Sequence, residues 1–146
     1  MKYYAYEEFK NDTQTLIHQV KGFEAETLVG IARGGLTLAH AMAEGLDLRA
    51  VQTLRTELYD GEHKRSQITV FDTVVLHNVQ RVLVLDDIAD SGETLAVVMQ
   101  YLEDRYPQII FKAATLFYKK TSVYTPHFWV NEAEDWIDFF WERDFK

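Results

Sequence analysis

The chain has 146 residues, which suits one domain with one buried core. Its 47% hydrophobic and 26% charged residues are those of an ordinary globular protein, and the absence of cysteine excludes disulfides, thiolate nucleophiles and thiolate-bound zinc. A net charge of -8 argues against broad nucleic-acid binding, which needs a basic surface, yet it leaves room for a phosphorylated small molecule held by local backbone N–H groups and one or two cations.

The opening MKYYAYEEFK lacks the basic-then-apolar pattern of a secretory leader, and no apolar run nears the roughly 18 residues of a membrane helix. A cytoplasmic protein with no membrane span and no nucleic-acid partner is expected. Nothing repeats and no Pro/Gly/Ser linker interrupts the chain, so residues 1–146 are expected to form a single domain.

In chain order, Tyr6, Phe9, Thr13, Leu16, Ile17 and Val20 recur at near-helical spacing and predict an amphipathic helix over 6–20. TLVGIA (27–32) predicts a short buried strand. It runs into Arg33-Gly34-Gly35 and then LTLAHAMAEGL, an alanine- and leucine-rich helix stopped near Gly45. AVQTL (50–54) predicts a second strand. RTELYDGEHKRSQ (55–67) is polar around Asp60-Gly61 and predicts a long connection of the kind that carries function. Residues 68–71 and 74–76 predict a small hairpin. VLVLD (82–86) is the clearest buried strand. Leu95, Val98, Met99 and Leu102 then mark one face of a helix that ends before Pro107, and IIFKAATLFY (109–118) predicts another strand. The alternation implies an α/β fold with a mostly parallel central sheet flanked by helices, whose ligands bind beyond the carboxyl ends of the strands.

That rule gives meaning to RVLVLDDIADSGETL (81–95). Asp86 and Asp87 end an apolar strand, and Ala89-Asp90-Ser91-Gly92-Glu93-Thr94 turns into a helix. A small-residue turn at a helix N-terminus presents unpaired N–H groups and the positive end of the helix dipole, and Ser91 and Thr94 add hydroxyl donors. Together these suit a phosphate monoester. Carboxylates beside that cradle make sense if they accept hydrogen bonds from sugar hydroxyls with a divalent cation near by. The run therefore reads as a ribose 5-phosphate site. Taken alone, the acid pair fits an acidic helix cap equally well. The Walker pattern and G-x-G-x-x-G are both absent, and an acid pair of the response-regulator kind sits near a chain start rather than past its middle.

VLVLDDIADSGETL resembles the phosphoribosyl pyrophosphate signature of the type I phosphoribosyltransferases: apolar strand, two acids, two spacers, Asp, Ser/Thr, Gly, x, Thr. The resemblance implies that fold, with a small C-terminal hood over the base. It implies transfer of 5-phosphoribose from phosphoribosyl pyrophosphate to a base with release of pyrophosphate, and a Mg2+ cofactor at Asp86 and Asp87. It also implies a homodimer or homotetramer. Arg33 and Gly34 would cradle the diphosphate, Arg65 would assist from the 55–67 loop, and Asp90 would be the general acid/base. Phe117-Tyr118-Lys119 and Trp136-Ile137-Asp138-Phe139-Phe140-Trp141-Glu142 resemble the bacterial xanthine-guanine branch. By that resemblance Lys119 donates to the purine 6-oxo group, Trp136 stacks on the ring, and the carbonyls of Trp136 and Ile137 read the 2-position. The chain departs from the branch at Lys120 and Phe140, where proline is usual, so Lys119 and Lys120 compete for the base. Two rival functions share the fold: transfer to another base, such as adenine or a pyrimidine, and a regulator that binds the sugar phosphate as a signal. The five histidines, at 18, 40, 63, 77 and 127, lack metal-ligand spacing.

Overall fold

The computed structural model describes residues 1–60 and 66–146. A strand β1 (Lys2–Tyr4) is followed by helix α1 (Tyr6–Val20), strand β2 (Thr27–Ala32), helix α2 (Leu36–Leu46) and strands β3 (Val51–Asp60) and β4 (Ser66–Phe71). Strand β5 (Arg81–Ala89), helix α3 (Glu93–Arg105) and strand β6 (Ile110–Tyr118) come next. Strands β7 (Phe128–Glu132) and β8 (Ile137–Phe139) and a short helix α4 (Phe140–Arg143) end the chain. Six strands form one sheet in the order β4-β3-β2-β5-β6-β7, parallel except for the antiparallel β3–β4 pair. β1 and β8 form a separate parallel pair. Among the described residues no helix is long and apolar enough to cross a membrane.

Alternation along the central strands sorts the core into two layers. Leu83 and Leu85 of β5 face α1 and α2, packing with Leu16, Leu38 and Met42. Val82 and Val84 face α3, packing with Leu95, Val98, Met99 and Leu102. In α1, Phe9, Thr13, Leu16 and Val20 are the buried residues, at spacings of four, three and four, and Glu8 accepts the Ala5 N–H at 3.3 Å to close the first turn.

α2 stops near Gly45, as expected: its last residue is Leu46, and Asp47 caps it with a left-handed backbone (φ 54°) that lets its N–H reach the carbonyls of Ala43 and Glu44. A Cβ at Gly45 would collide with Ile17 of α1, so glycine allows the two helices to approach there. Other boundaries differ from those expected. The second strand is longer than 50–54. Most of the expected 55–67 connection is antiparallel strand, running from Arg55↔Phe71 to Asp60↔Ser66. This pair lies at the sheet edge with one face exposed and the other only half-buried beyond Leu54, so its apolar pattern is weaker than that of a central strand. The expected 68–71/74–76 hairpin is absent: residues 68–71 pair with β3. The Gln52 side chain holds the next segment in place of a strand, accepting the Val75 N–H at 2.8 Å and donating to its carbonyl at 2.7 Å.

Candidate active site

Parallel register brings three carboxyl ends to one edge. Gly30 of β2 pairs with Leu85 of β5, and Ala89 of β5 pairs with Tyr118 of β6. Arg33-Gly34, Asp86–Asp90 and Lys119 therefore meet at one edge of the sheet. Just before that edge the two-residue period slips in both β5 and β6. Leu85 and Ile88 pack on the same core layer, as do Leu116 and Phe117. The Thr115 hydroxyl donates to the Phe117 carbonyl at 2.8 Å at this irregularity.

The acid pair lies within β5 rather than beyond it, since β5 runs on to Ala89. Asp87 is buried at 7% exposure, and Asp86 is half-buried with its Oδ1 accepting the Asp87 N–H at 2.9 Å. Burial raises the pKa of Asp86 well above the usual carboxyl range, and the Asp87 charge adds to the effect. Burial also pushes Asp87 up to about 6, with the Glu142 charge adding and the hydrogen bond to Asp86 opposing. The two titrate as a unit. Gly34 abuts this pair: a Cβ there would fall 2.5 Å from Asp87 Oδ2, so only glycine allows the Arg33-Gly34 turn to approach the carboxylate. The Ala32–Arg33 peptide is cis. Arg33 is exposed and lines an open cavity of about 570 Å³ with Gly34, Thr37 and Glu142.

The turn after β5 is shaped by Gly92, whose φ of +82° suits glycine. A Cβ there would also strike Ser122 Oγ and come within 2.7 Å of the Tyr124 nitrogen. Ser91 Oγ accepts the Glu93 N–H at 3.2 Å, and the first turn of α3 begins at Glu93 and Thr94 with N–H groups that have no partner within the helix. Asp86, Asp87, Ala89, Asp90, Ser91, Gly92 and Thr94 line one cavity of about 210 Å³. The Glu93 side chain points to solvent.

A second cavity of about 160 Å³ opens beside the first, lined by Asp87, Asp90, Lys119, Trp136, Ile137, Phe139 and Glu142 among others. Lys119 Nζ lies 2.9 Å from Asp90 Oδ1. Lys120 turns away, 3.5 Å from Glu132, and does not line this cavity. Of the two lysines, Lys119 is the one that reaches the site. Trp136 is 58% exposed and Ile137 is buried. The Trp136 carbonyl accepts the Lys2 N–H at 2.9 Å, in register with Lys2↔Ile137. One of the two lone pairs of the Trp136 carbonyl is thus taken up by β1. Carbonyl directions alternate along a strand, which turns the Ile137 carbonyl to the side away from β1.

The sequence alone did not mark Asp135, Phe139 and Glu142 as site residues. Asp135 Oδ1 accepts the Trp136 N–H at 2.7 Å and so sets the entry to β8. Phe139 stacks on Trp141 at 4.7 Å. Asp-Trp and the aromatic-acid tail were the only sequence signals for these residues. Arg65 lies outside the described residues. Among the described residues no group of three or more His, Cys, Asp or Glu side chains is arranged to hold a metal ion. Asp86 and Asp87 present hard oxygen donors, a pair that fits Mg2+ when substrate oxygens and water complete its shell.

A family model described as phosphoribosyl transferase domain matches residues 4–145. The xanthine-guanine phosphoribosyltransferase of Idiomarina loihiensis is 28% identical over 142 residues, covering 94% of this chain and 84% of that protein. The enzyme of that name from Cereibacter sphaeroides is 30% identical over 119 residues, 79% of this chain and 68% of that one. Among solved structures, the xanthine-guanine-hypoxanthine phosphoribosyltransferase of Helicobacter pylori superposes with a TM-score of 0.92 at 34% identity, covering 99% of this chain and 95% of that one.

Proposed function

The chain belongs to the phosphoribosyltransferase family, and from that premise we propose that it is a purine-salvage enzyme transferring 5-phosphoribose from phosphoribosyl pyrophosphate to a 6-oxopurine. The observation that carries this reading is the adjoining of two cavities along one strand edge. One is lined by the 91–94 turn and the acid pair, the other by Lys119, Asp90, Trp136 and Ile137.

In the reaction the bond from C1 of the sugar to pyrophosphate breaks, and its electron pair leaves with the pyrophosphate. The lone pair of a purine imidazole nitrogen forms the new bond to C1, and that ring's N–H proton must leave. C1 becomes oxocarbenium-like on the way, as in glycoside chemistry. Ser91, Thr94 and the backbone N–H groups of the α3 N-terminus hold the 5-phosphate. Asp86 and Asp87 accept hydrogen bonds from the ribose hydroxyls. They also offer the oxygen donors that Mg2+ takes, and the ion when bound neutralises charge on the departing pyrophosphate. Arg33 and the Gly34 turn bind the pyrophosphate. Asp90 accepts the imidazole proton, a contribution worth ~10²–10⁴-fold in rate. Lys119 donates to the 6-oxo group, Trp136 covers the ring and the Ile137 carbonyl faces its 2-position. An ammonium opposite position 6 favours an oxo group, because the amino group of adenine brings a donor to a donor.

The test is pyrophosphate release with Mg2+, phosphoribosyl pyrophosphate and guanine, xanthine, hypoxanthine, adenine or uracil. Release with at least one of the three 6-oxopurines, well above adenine and uracil, is expected. Release with adenine or uracil alone would move the chain to the other-base alternative. Tight binding of the sugar phosphate with no release from any base would make it a sensor.

A further inference from the structure

The ion pair between Lys119 and Asp90 joins the two groups that 6-oxopurine transfer needs apart, so its significance rests on the transferase function proposed above. Lys119 Nζ sits 2.9 Å from Asp90 Oδ1, and both side chains line the base cavity. Their backbones are tied together as well. The Lys119 N–H donates to the Ala89 carbonyl at 3.1 Å, extending the β5–β6 ladder past Ala89↔Tyr118. The Val123 N–H donates to the Ser91 carbonyl at 2.8 Å, and Ser122 is packed against Gly92. The two segments therefore move as one body. Separation of ammonium and carboxylate falls to the lysine side chain, which has four rotatable carbons and three donors. Of the further carboxylates that line this cavity with Lys119, Asp135 already accepts the Trp136 N–H and the Met1 amino group, and Asp87 and Glu142 are the remaining two.

We propose that this ion pair is a specificity gate: Asp90 is released to accept the imidazole proton when a base with an acceptor at position 6 draws Lys119 onto itself. A 6-oxo group offers the ammonium an oxygen in exchange for the one it leaves, so the exchange costs little. A 6-amino group or a bare C6–H offers nothing in return. Lys119 then stays on Asp90, and the paired ammonium keeps that carboxylate a weaker base for the ring proton. The pair thus makes recognition of position 6 a condition for proton transfer at the far ring. The correct substrate assembles its own catalytic site, and discrimination appears in turnover and not in binding alone.

The base that separates the gate from a simple hydrogen-bond donor is unsubstituted purine: relief of a donor–donor clash also raises adenine turnover, but a bare C6–H has no clash to relieve, so its rate rises only if Asp90 is freed. Lys119→Met removes the ammonium and leaves Asp90 permanently free. Turnover of guanine should fall, while turnover of adenine and of unsubstituted purine should rise about threefold to fivefold, the factor set by an exposed pair worth up to ~1 kcal/mol. Pyrophosphate release at high enzyme concentration would be measured for wild type, Lys119→Met, Lys119→Ala and the control Lys120→Met, with folding checked by thermal melts. Two Lys119 variants guard against a packing defect in one. A rise with adenine and purine in both Lys119 variants, absent from Lys120→Met, supports the gate. A purine rate that stays level or falls while guanine falls would overturn it and leave the pair a passive contact, even where adenine rises through loss of the donor–donor clash. If wild type releases no pyrophosphate with any 6-oxopurine, the transferase reading fails first and the gate with it.

Discussion

Two adjacent carboxylates held out of water, as Asp86 and Asp87 are, oppose folding while they are ionised. A carboxyl whose folded pKa is raised binds more protons folded than unfolded. Between the ordinary value of 3.8 and the value of about 6 at Asp87, stability therefore falls as pH rises. Protein kept in chelator without substrate is predicted to melt lower at about pH 7.5 than at about pH 5.5 on this account. Asp87→Asn should flatten that dependence and raise Tm at the higher pH, by about 2–4 °C for each ~1 kcal/mol relieved. The same change should weaken binding of phosphoribosyl pyrophosphate, since function and stability pull this residue in opposite directions. An unchanged or lowered Tm in Asp87→Asn would show that the pair is not strained. Asp90 plays a different part. Asp90→Asn keeps size and hydrogen bonding but cannot accept a proton, so kcat should drop by ~10² or more with little change in sugar-phosphate affinity. A kcat near wild type would reduce Asp90 to the partner of Lys119.

The element that carries most of the proposed phosphate site is the N-terminus of α3. Thr94→Val keeps the shape of the helix start but removes a hydroxyl. A hydrogen bond to a charged group is worth roughly 1.5–3 kcal/mol, so calorimetry should show phosphoribosyl pyrophosphate binding weakened at least about tenfold. Undiminished affinity in the folded variant would remove Thr94 from the cradle. β1 has a less obvious role, because its pairing with β8 holds the segment that covers the base cavity. Lys2→Pro deletes the N–H that the Trp136 carbonyl accepts. We expect KM for the base to rise about 2- to 10-fold, the scale of one ordinary hydrogen bond, with the sugar-phosphate affinity kept. Equal losses in both would mean that β1 supports the whole fold and not the base pocket. These two elements also mark what the sequence makes legible. α3 and β5 are buried on regular faces, so their apolar periods and the Ser-Gly-Glu-Thr turn are plain to read. β1, β7 and β8 are three to five residues long, and the β1–β8 pairing joins residues more than 130 positions apart, as in Lys2↔Ile137. No local pattern encodes that contact, so the engagement of the Trp136 carbonyl was invisible before the register was known.

At the scale of the molecule, the fold works by converging parallel carboxyl ends on one edge. β2 delivers Arg33-Gly34, β5 the acids and the phosphate turn, and β6 the lysine. The acidic total of -8 is compatible with the phosphorylated substrate proposed above, because the groups proposed to meet it are local: backbone N–H groups, Arg33 and a cation at the acid pair. Fold class and the candidate residues at 33–34, 86–94 and 119 could be read from the sequence because they lie at or just beyond the ends of strongly buried strands. The β3–β4 pair could not, since it lies at the exposed edge of the sheet. The central claim is that this edge joins ribose 5-phosphate to a 6-oxopurine, and product identification tests it most directly. The purified chain would be incubated with Mg2+, phosphoribosyl pyrophosphate and an equimolar mixture of guanine, xanthine, hypoxanthine and adenine, and the products resolved by chromatography with mass detection. The account predicts nucleoside 5′-monophosphates of the 6-oxopurines, formed in step with pyrophosphate and lost in Asp90→Asn. Adenosine monophosphate as the main product, or no nucleotide at all, would contradict it.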